Sequence, residues 1–297
     1  MTASNPSRDE SRPRPGARPA DDHLDSTAHL MNRITHQLTR QLGLVALDGR
    51  RRPAPPALVL VGHGSRDPRA LRTVRALLDR VRARRPGLPV HLGHIELNEP
   101  LLTDTLAALD AAGTPDAVLV PLLLGRGYHV KRDIPEMAAT ARVRTRVAAP
   151  LGPHPLLVDT LCTRLTEAGW RPPASDAERR ETAVILAAAG SRDPDNAADT
   201  HRTAQLLADR LGVPVLPAYA SAATPTVSEA LGLLAARGRH RVAVASYFTA
   251  PGRFATQCAD RAPWLASAPL GADGQLADLV LHRYDQALPA GADCHAA

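Results

Sequence analysis

Apolar residues follow two alternating patterns along this chain. Short runs rich in Val, Leu, Ile and Ala, at residues 57–61, 90–97, 117–124 and 145–149, are bounded by Gly, Pro and charged positions. Between them apolar residues recur at helical spacing, as with Leu71, Val74, Leu77, Leu78 and Val81. The short runs predict strands buried on both faces, and the periodic stretches predict helices over about 69–84, 101–112, 134–142 and 155–168. A loop is expected over 125–130. Strands alternating with helices imply an α/β fold with a parallel, doubly wound sheet.

The pattern then repeats. Ala187-Ala188-Ala189-Gly190-Ser191-Arg192-Asp193-Pro194 echoes Val61-Gly62-His63-Gly64-Ser65-Arg66-Asp67-Pro68, residues 215–225 echo 90–100, and 242–252 echo 117–127. Two tandem units of a duplicated fold, facing across a cleft, are the simplest architecture for this echo. The expected organisation is a polar tail with one amphipathic helix (1–52), a first unit (53–168), a linker rich in Pro, Ser and charge (169–180), a second unit (181–288) and a short tail (289–297). The amphipathic helix is read from Leu30, Ile34, Leu38 and Leu42, which recur every four residues.

Composition narrows the function classes. The chain has 297 residues and a net charge of +6 from 36 basic and 30 acidic side chains, and Lys131 is its one lysine. Such an arginine bias, with 3% aromatic residues and no basic run interleaved with them, gives no footprint for nucleic acid. Cys162, Cys258 and Cys294 match no zinc or disulfide spacing, which suits a reducing compartment. With no apolar leader segment and no run of membrane-spanning length, the expectation is a soluble cytoplasmic protein without a membrane or nucleic-acid partner. Composition leaves the oligomeric state open.

The repeat supplies an internal control for chemistry. His63 aligns with Ala189, Glu96 with Ser221, and His129 with Phe254, whereas the glycines at 64 and 127, the Ser-Arg-Asp-Pro motif and a proline after the second strand occur in both halves. If the three ionisable groups served only the fold, the second half would need them too. Each follows a predicted strand, and the carboxyl ends of parallel strands lie along one edge, where open α/β sheets bind ligands. Two imidazoles and a carboxylate converging there suit a divalent transition metal. The plainer alternatives are a helix-entry residue meeting solvent for His129 and a pairing with a neighbouring Arg for Glu96. His94, two positions before Glu96, shares its face on an extended strand and is either a partner of the site or a packed core residue.

The blocks His63-Gly64-Ser65-Arg66-Asp67-Pro68, Glu96-Leu97-Asn98-Glu99-Pro100, and residues 121–135 with Gly125-Arg126-Gly127-Tyr128-His129 and Asp133-Ile134-Pro135 resemble the sirohydrochlorin chelatases of the cobalt- and iron-inserting type. The likeness covers roughly residues 57–168; residues 181–288 match in framework only. The resemblance implies a lyase that inserts Co²⁺ or Fe²⁺ into sirohydrochlorin on the way to cobalamin or sirohaem. The divalent metal is then a substrate, and no organic cofactor is needed. It assigns metal binding and proton removal to His63 and His129, with Glu96 as the third catalytic group, and tetrapyrrole binding to Asn98, Gly125, Arg126, Gly127 and Tyr128. Arg66, Arg126, Lys131 and Arg132 become candidate counter-charges for the substrate's carboxylates. One active site is expected, with the second half as the opposite wall and Tyr247 or Phe254 packed there. The alternatives are a metal or tetrapyrrole carrier without turnover and a phosphatase with a His nucleophile. The latter is disfavoured by Gly62 standing where an Arg beside the His would help most. A hydrolase acting through Ser65 lacks the Gly-x-Ser-x-Gly elbow.

Overall fold

The computed structural model describes residues 54–288. The amphipathic helix expected around Leu30 to Leu42, both tails and Cys294 lie outside them. The first half comprises β1 (Ala57–Gly62), α1 (Pro68–Arg84), β2 (Val90–His94), α2 (Leu102–Ala111), β3 (Asp116–Pro121), a π-helical turn (His129–Asp133), α3 (Ile134–Ala139), β4 (Arg144–Val147) and α4 (Pro155–Glu167). The second half comprises α5 (Asp176–Glu181), β5 (Thr182–Ala188), α6 (Pro194–Leu211), β6 (Val215–Tyr219), α7 (Val227–Ala235), β7 (Arg241–Ser246), α8 (Arg253–Ala259), β8 (Leu265–Ala266) and α9 (Gly274–Ala287). The expected linker therefore contains a helix, capped by Ser175.

Each half builds a four-stranded parallel sheet, ordered β2-β1-β3-β4 and β6-β5-β7-β8. Every residue of β1 is buried, as a strand covered by helices on both faces requires. The order places the switch point of the first sheet between β1 and β3. The crevice outside their carboxyl ends is where such sheets bind ligands.

The Ser-Arg-Asp-Pro echo has a structural cause. Asp67 caps α1 by accepting the Arg69 N–H at 2.9 Å, and Asp193 caps α6 by accepting the Asp195 N–H at 3.0 Å, each with Pro at the first helical position. Ser65 and Ser191 both accept the N–H of their capping Asp at 3.1 Å. The motif starts a helix in both halves, which explains its survival where the ionisable groups are missing.

The two halves are less separable than the repeat suggests. The last helix of each packs on the sheet of the other: α4 lies against α6 and β7, and α9 against α1 and β3. One hydrophobic core runs through both, joining Leu58, Leu60, Val118 and Val120 to Val184, Leu186, Ala243 and Ala245. Two smaller clusters fill the outer faces. The ion pairs Arg84–Asp278 and Arg85–Asp285 tie α1 to α9. Both sheets thus belong to one compact unit beginning at Pro55, and the expected boundary at 169–180 is not a division of the core. Among the described residues no helix is long and apolar enough to cross a membrane.

Candidate functional site

His63 leaves the carboxyl end of β1, and Gly64 turns the chain behind it. Gly64 has φ +105°, and an added Cβ would run into the carbonyl oxygen of Glu96, so only glycine fits. The strand predicted over 90–97 ends at His94, yet its backbone pairing continues: Ile95 N–H donates to Gly62 O at 2.9 Å and Glu96 N–H to His63 O at 3.0 Å. Glu96 is thereby held beside His63. The same shortening removes the shared strand face proposed for His94. That ring is buried, with Nδ1 3.2 Å from Pro100 O, and burial holds its pKa down.

His129 opens the π-helical turn after β3 instead of lying in a loop. Its Nε2 is 3.1 Å from His63 Nε2, and the rings meet at 89° with centroids 4.6 Å apart. On its other side Nδ1 lies 2.6 Å from Oδ2 of Asp133, one helical turn further on. His63 Nδ1 faces Gly64 O at 3.3 Å and Glu96 Oε1 at 3.7 Å. Both Nδ1 atoms therefore face oxygen acceptors, and each ring is assigned its proton there. That assignment leaves two Nε2 lone pairs directed at one small region, an arrangement that favours a bound cation. Two bonds of about 2.1 Å meeting near a right angle place their nitrogens about 3.0 Å apart, close to the observed spacing.

Of the expected trio, the structure brings the two imidazoles together. Glu96 stands at the far nitrogen of His63 with a half-exposed side chain, and among the described residues no group of three His, Cys, Asp or Glu side chains is arranged around one ion position. Asp133, the carboxylate in contact with His129, was missed by pattern reasoning. Its signal was the four-residue spacing from His129, which brings side chains together only on a helix.

The imidazole pair opens into a cavity of about 380 Å³ between the halves. Gly125, Gly127 and Tyr128 line it from the first half, and Ala189, Ser191, Asn196, Tyr247 and Phe254 from the second. The second half is thus the opposite wall. Tyr247 is fully buried, its hydroxyl donating to Leu124 O at 2.9 Å and meeting Thr203 Oγ1 at 3.1 Å; burial pushes its phenol well above the ordinary range. Gly125 and Gly127 face α6 closely: an added Cβ on Gly125 would stand 3.0 Å from Asn196 Nδ2. Asn98 braces the site, its Oδ1 accepting the Ser65 N–H at 2.7 Å.

The cations expected at the cleft divide into two groups. Arg126 is committed to the buried carboxylate of Asp199, with Nη2 2.7 Å from Oδ1 and its backbone N–H donating to Oδ2 at 2.8 Å. Lys131 meets Asp193 at 2.7 Å and Asp195 at 2.8 Å. Those hydrogen bonds raise the pKa of both cations and lower those of Asp193 and Asp195. These pairs join the turn bearing His129 to α6. Arg66 and Arg132 are exposed and lack such partners among the described residues.

Known proteins resemble this chain in sequence and fold. A family model, CbiX, matches residues 57–168 and 183–287. A sirohydrochlorin ferrochelatase of Bacillus subtilis (strain 168) is 32% identical over 180 residues, 58% of this chain and 66% of that one. A sirohydrochlorin cobaltochelatase of Methanococcus maripaludis is 38% identical over 81 residues, 27% of this chain and 56% of that one. The chain thus spans between 56% and 66% of the length of these two curated relatives. The structure of SirB from Bacillus subtilis with Fe³⁺ superposes with a TM-score of 0.64 at 24% identity, covering 79% of this chain and 96% of that one, a likeness of fold. With both halves matched by its family model, the chain belongs to the CbiX family.

Proposed function

We propose that this protein is a metal chelatase that inserts Co²⁺ or Fe²⁺ into sirohydrochlorin, with His63 and His129 as the residues that hold the ion. The observation that carries the proposal is the pair of Nε2 atoms 3.1 Å apart, facing a cavity walled by both halves. The names of its relatives, cobaltochelatase and ferrochelatase, supply the substrate class. Insertion exchanges one M²⁺ for two pyrrolic N–H protons, so the reaction balances without an energy source or organic cofactor. A nitrogen cannot hold a metal and accept a proton at once. As the ion passes to the macrocycle, each Nε2 is freed to take one proton. The imidazolium formed at His129 is stabilised by Asp133 and that at His63 by Glu96, after which solvent carries the protons away. Imidazole and carboxylate accept either ion, so cellular supply selects between them.

Tyr128, Asn98, Gly125 and Gly127 are proposed to border the macrocycle. Arg66 and Arg132 are better placed than Arg126 to meet its carboxylates, because Arg126 is already paired. The free thiols Cys162 and Cys258 support a cytoplasmic location. The test is incubation of the protein with Co²⁺ or Fe²⁺ and sirohydrochlorin, followed by absorption spectroscopy. Many turnovers per chain are expected, abolished in His63→Ala and in His129→Ala with circular dichroism unchanged. A change limited to one equivalent would indicate a carrier instead. Near-normal insertion by either variant would remove that residue from the mechanism.

A further inference from the structure

Three large apolar side chains are markedly exposed among the described residues: Leu97 (50%), Tyr128 (64%) and Leu233 (46%). Two of the three adjoin the site, Leu97 following Glu96 and Tyr128 preceding His129. Leu97 also has φ +65°, a backbone conformation that glycine adopts freely and L-residues other than Asn and Asp adopt at a cost. The Asn98 N–H donates back to Glu96 O at 2.8 Å, closing a three-residue turn of the strained, positive-φ kind around Leu97. The turn is fixed on both sides, by Glu96 N–H on His63 O and by Ser65 N–H on Asn98 Oδ1. Leu97 Cβ would stand 3.3 Å from a methyl added at Gly64, which places the side chain beside the His63 loop.

The chain thus spends backbone strain to hold an isobutyl group half in water. The second half shows that the turn does not require it: the counterpart of Leu97 is Ala222, also at positive φ (58°), and that of Tyr128 is Arg253. Both large exposed apolar groups occur only in the half that carries the imidazoles. The 380 Å³ cavity lies at the low end of the range for drug-sized ligands, so a tetrapyrrole reaching the two Nε2 atoms extends past its edge.

We infer that Leu97 is a substrate-contacting residue that forms, with Tyr128, an apolar rim for the flat face of the macrocycle outside the cavity. The inference deepens the chelatase proposal and rests on it for the substrate class. Metal-free binding of sirohydrochlorin tests it apart from catalysis. Leu97→Asn and Leu97→Gly both suit positive φ, so each keeps the turn while removing the apolar group; Leu97→Met keeps apolar surface on the same backbone. The expected result is a Kd roughly five- to tenfold weaker for the Asn and Gly variants, wild-type binding by the Met variant, and a Tm of the Asn variant equal to or above wild type. A Kd within twofold of wild type for both the Asn and Gly variants would overturn the rim while leaving the chelatase proposal standing. Failure of the wild-type protein to bind sirohydrochlorin at all would overturn both.

Discussion

Replacing Asp133 with Asn removes one charge with almost no change in volume, at the carboxylate 2.6 Å from His129 Nδ1. In the native turn the carboxylate accepts the Nδ1 proton, which fixes the ring orientation and keeps the Nε2 lone pair toward His63. An Asn amide can present its NH₂ instead and admit the other tautomer, with the proton on Nε2 where the ion should bind. Partners behind a metal-binding imidazole are typically worth ten- to a hundredfold in metal affinity or activity. Asp133 and His129 keep 23% and 38% of their side-chain surface exposed, so solvent screens the pair and the lower figure applies. We expect Co²⁺ to bind about tenfold more weakly to Asp133→Asn, equivalent to about 1.4 kcal/mol, with a similar drop in kcat and little change in KM for the macrocycle. Isothermal titration with Co²⁺ and initial-rate absorption measurements read these quantities separately. Metal affinity and kcat within twofold of wild type would refute the positioning role of Asp133.

Tyr247→Phe removes a hydroxyl that bridges the halves and leaves Leu124 O without this donor, while Thr203 keeps its bond to Asp199 O, so it should destabilise by about 1–3 kcal/mol, seen as a Tm lower by several degrees; an unchanged Tm would deny the bridge. Lys131→Met probes the cross-cleft pairs through pH. Asp193 and Asp195 have folded pKa values below their ordinary ones because Lys131 donates to them, so their contribution is present above about pH 4 and lost as pH falls through the folded values. That of Lys131 is raised, so its share persists up to about pH 10 and is lost above. The Tm difference between wild type and Lys131→Met should therefore be constant from pH 5 to 9 and shrink below pH 4. A difference that grew on acidification would contradict the pairing.

The strands and helices were legible because their apolar periods are unambiguous, and the duplicated framework because the Asp-Pro caps are short-range chemistry repeated in both halves. His63 and His129 stood out since Ala189 and Phe254 replace them on the same scaffold. Legibility ended where side-chain direction or long-range packing decided the outcome. Glu96 lies near both rings in sequence logic, but the backbone pairing of residues 95 and 96 puts its carboxylate at the far nitrogen of His63. Asp133 was hidden because residues 129–133 carry no strong apolar pattern, and the π-helical turn that brings it to His129 has no propensity signature. Arg126 and Lys131 were expected to serve the substrate; their partners lie more than sixty residues away, Asp193 at the cap of α6 and Asp195 and Asp199 on it. The reciprocal packing of α4 and α9 was equally invisible, since an amphipathic face does not state which half covers it.

The central claim is that two imidazoles, His63 at the end of β1 and His129 in the π-helical turn after β3, grip one divalent ion. Anomalous diffraction from crystals grown with Co²⁺ tests it most directly. The account predicts one ion in the cavity with the Nε2 atoms of His63 and His129 each at about 2.1 Å. An ion held by only one of these rings, or bound elsewhere while the ring pair stays unmetallated, would contradict it.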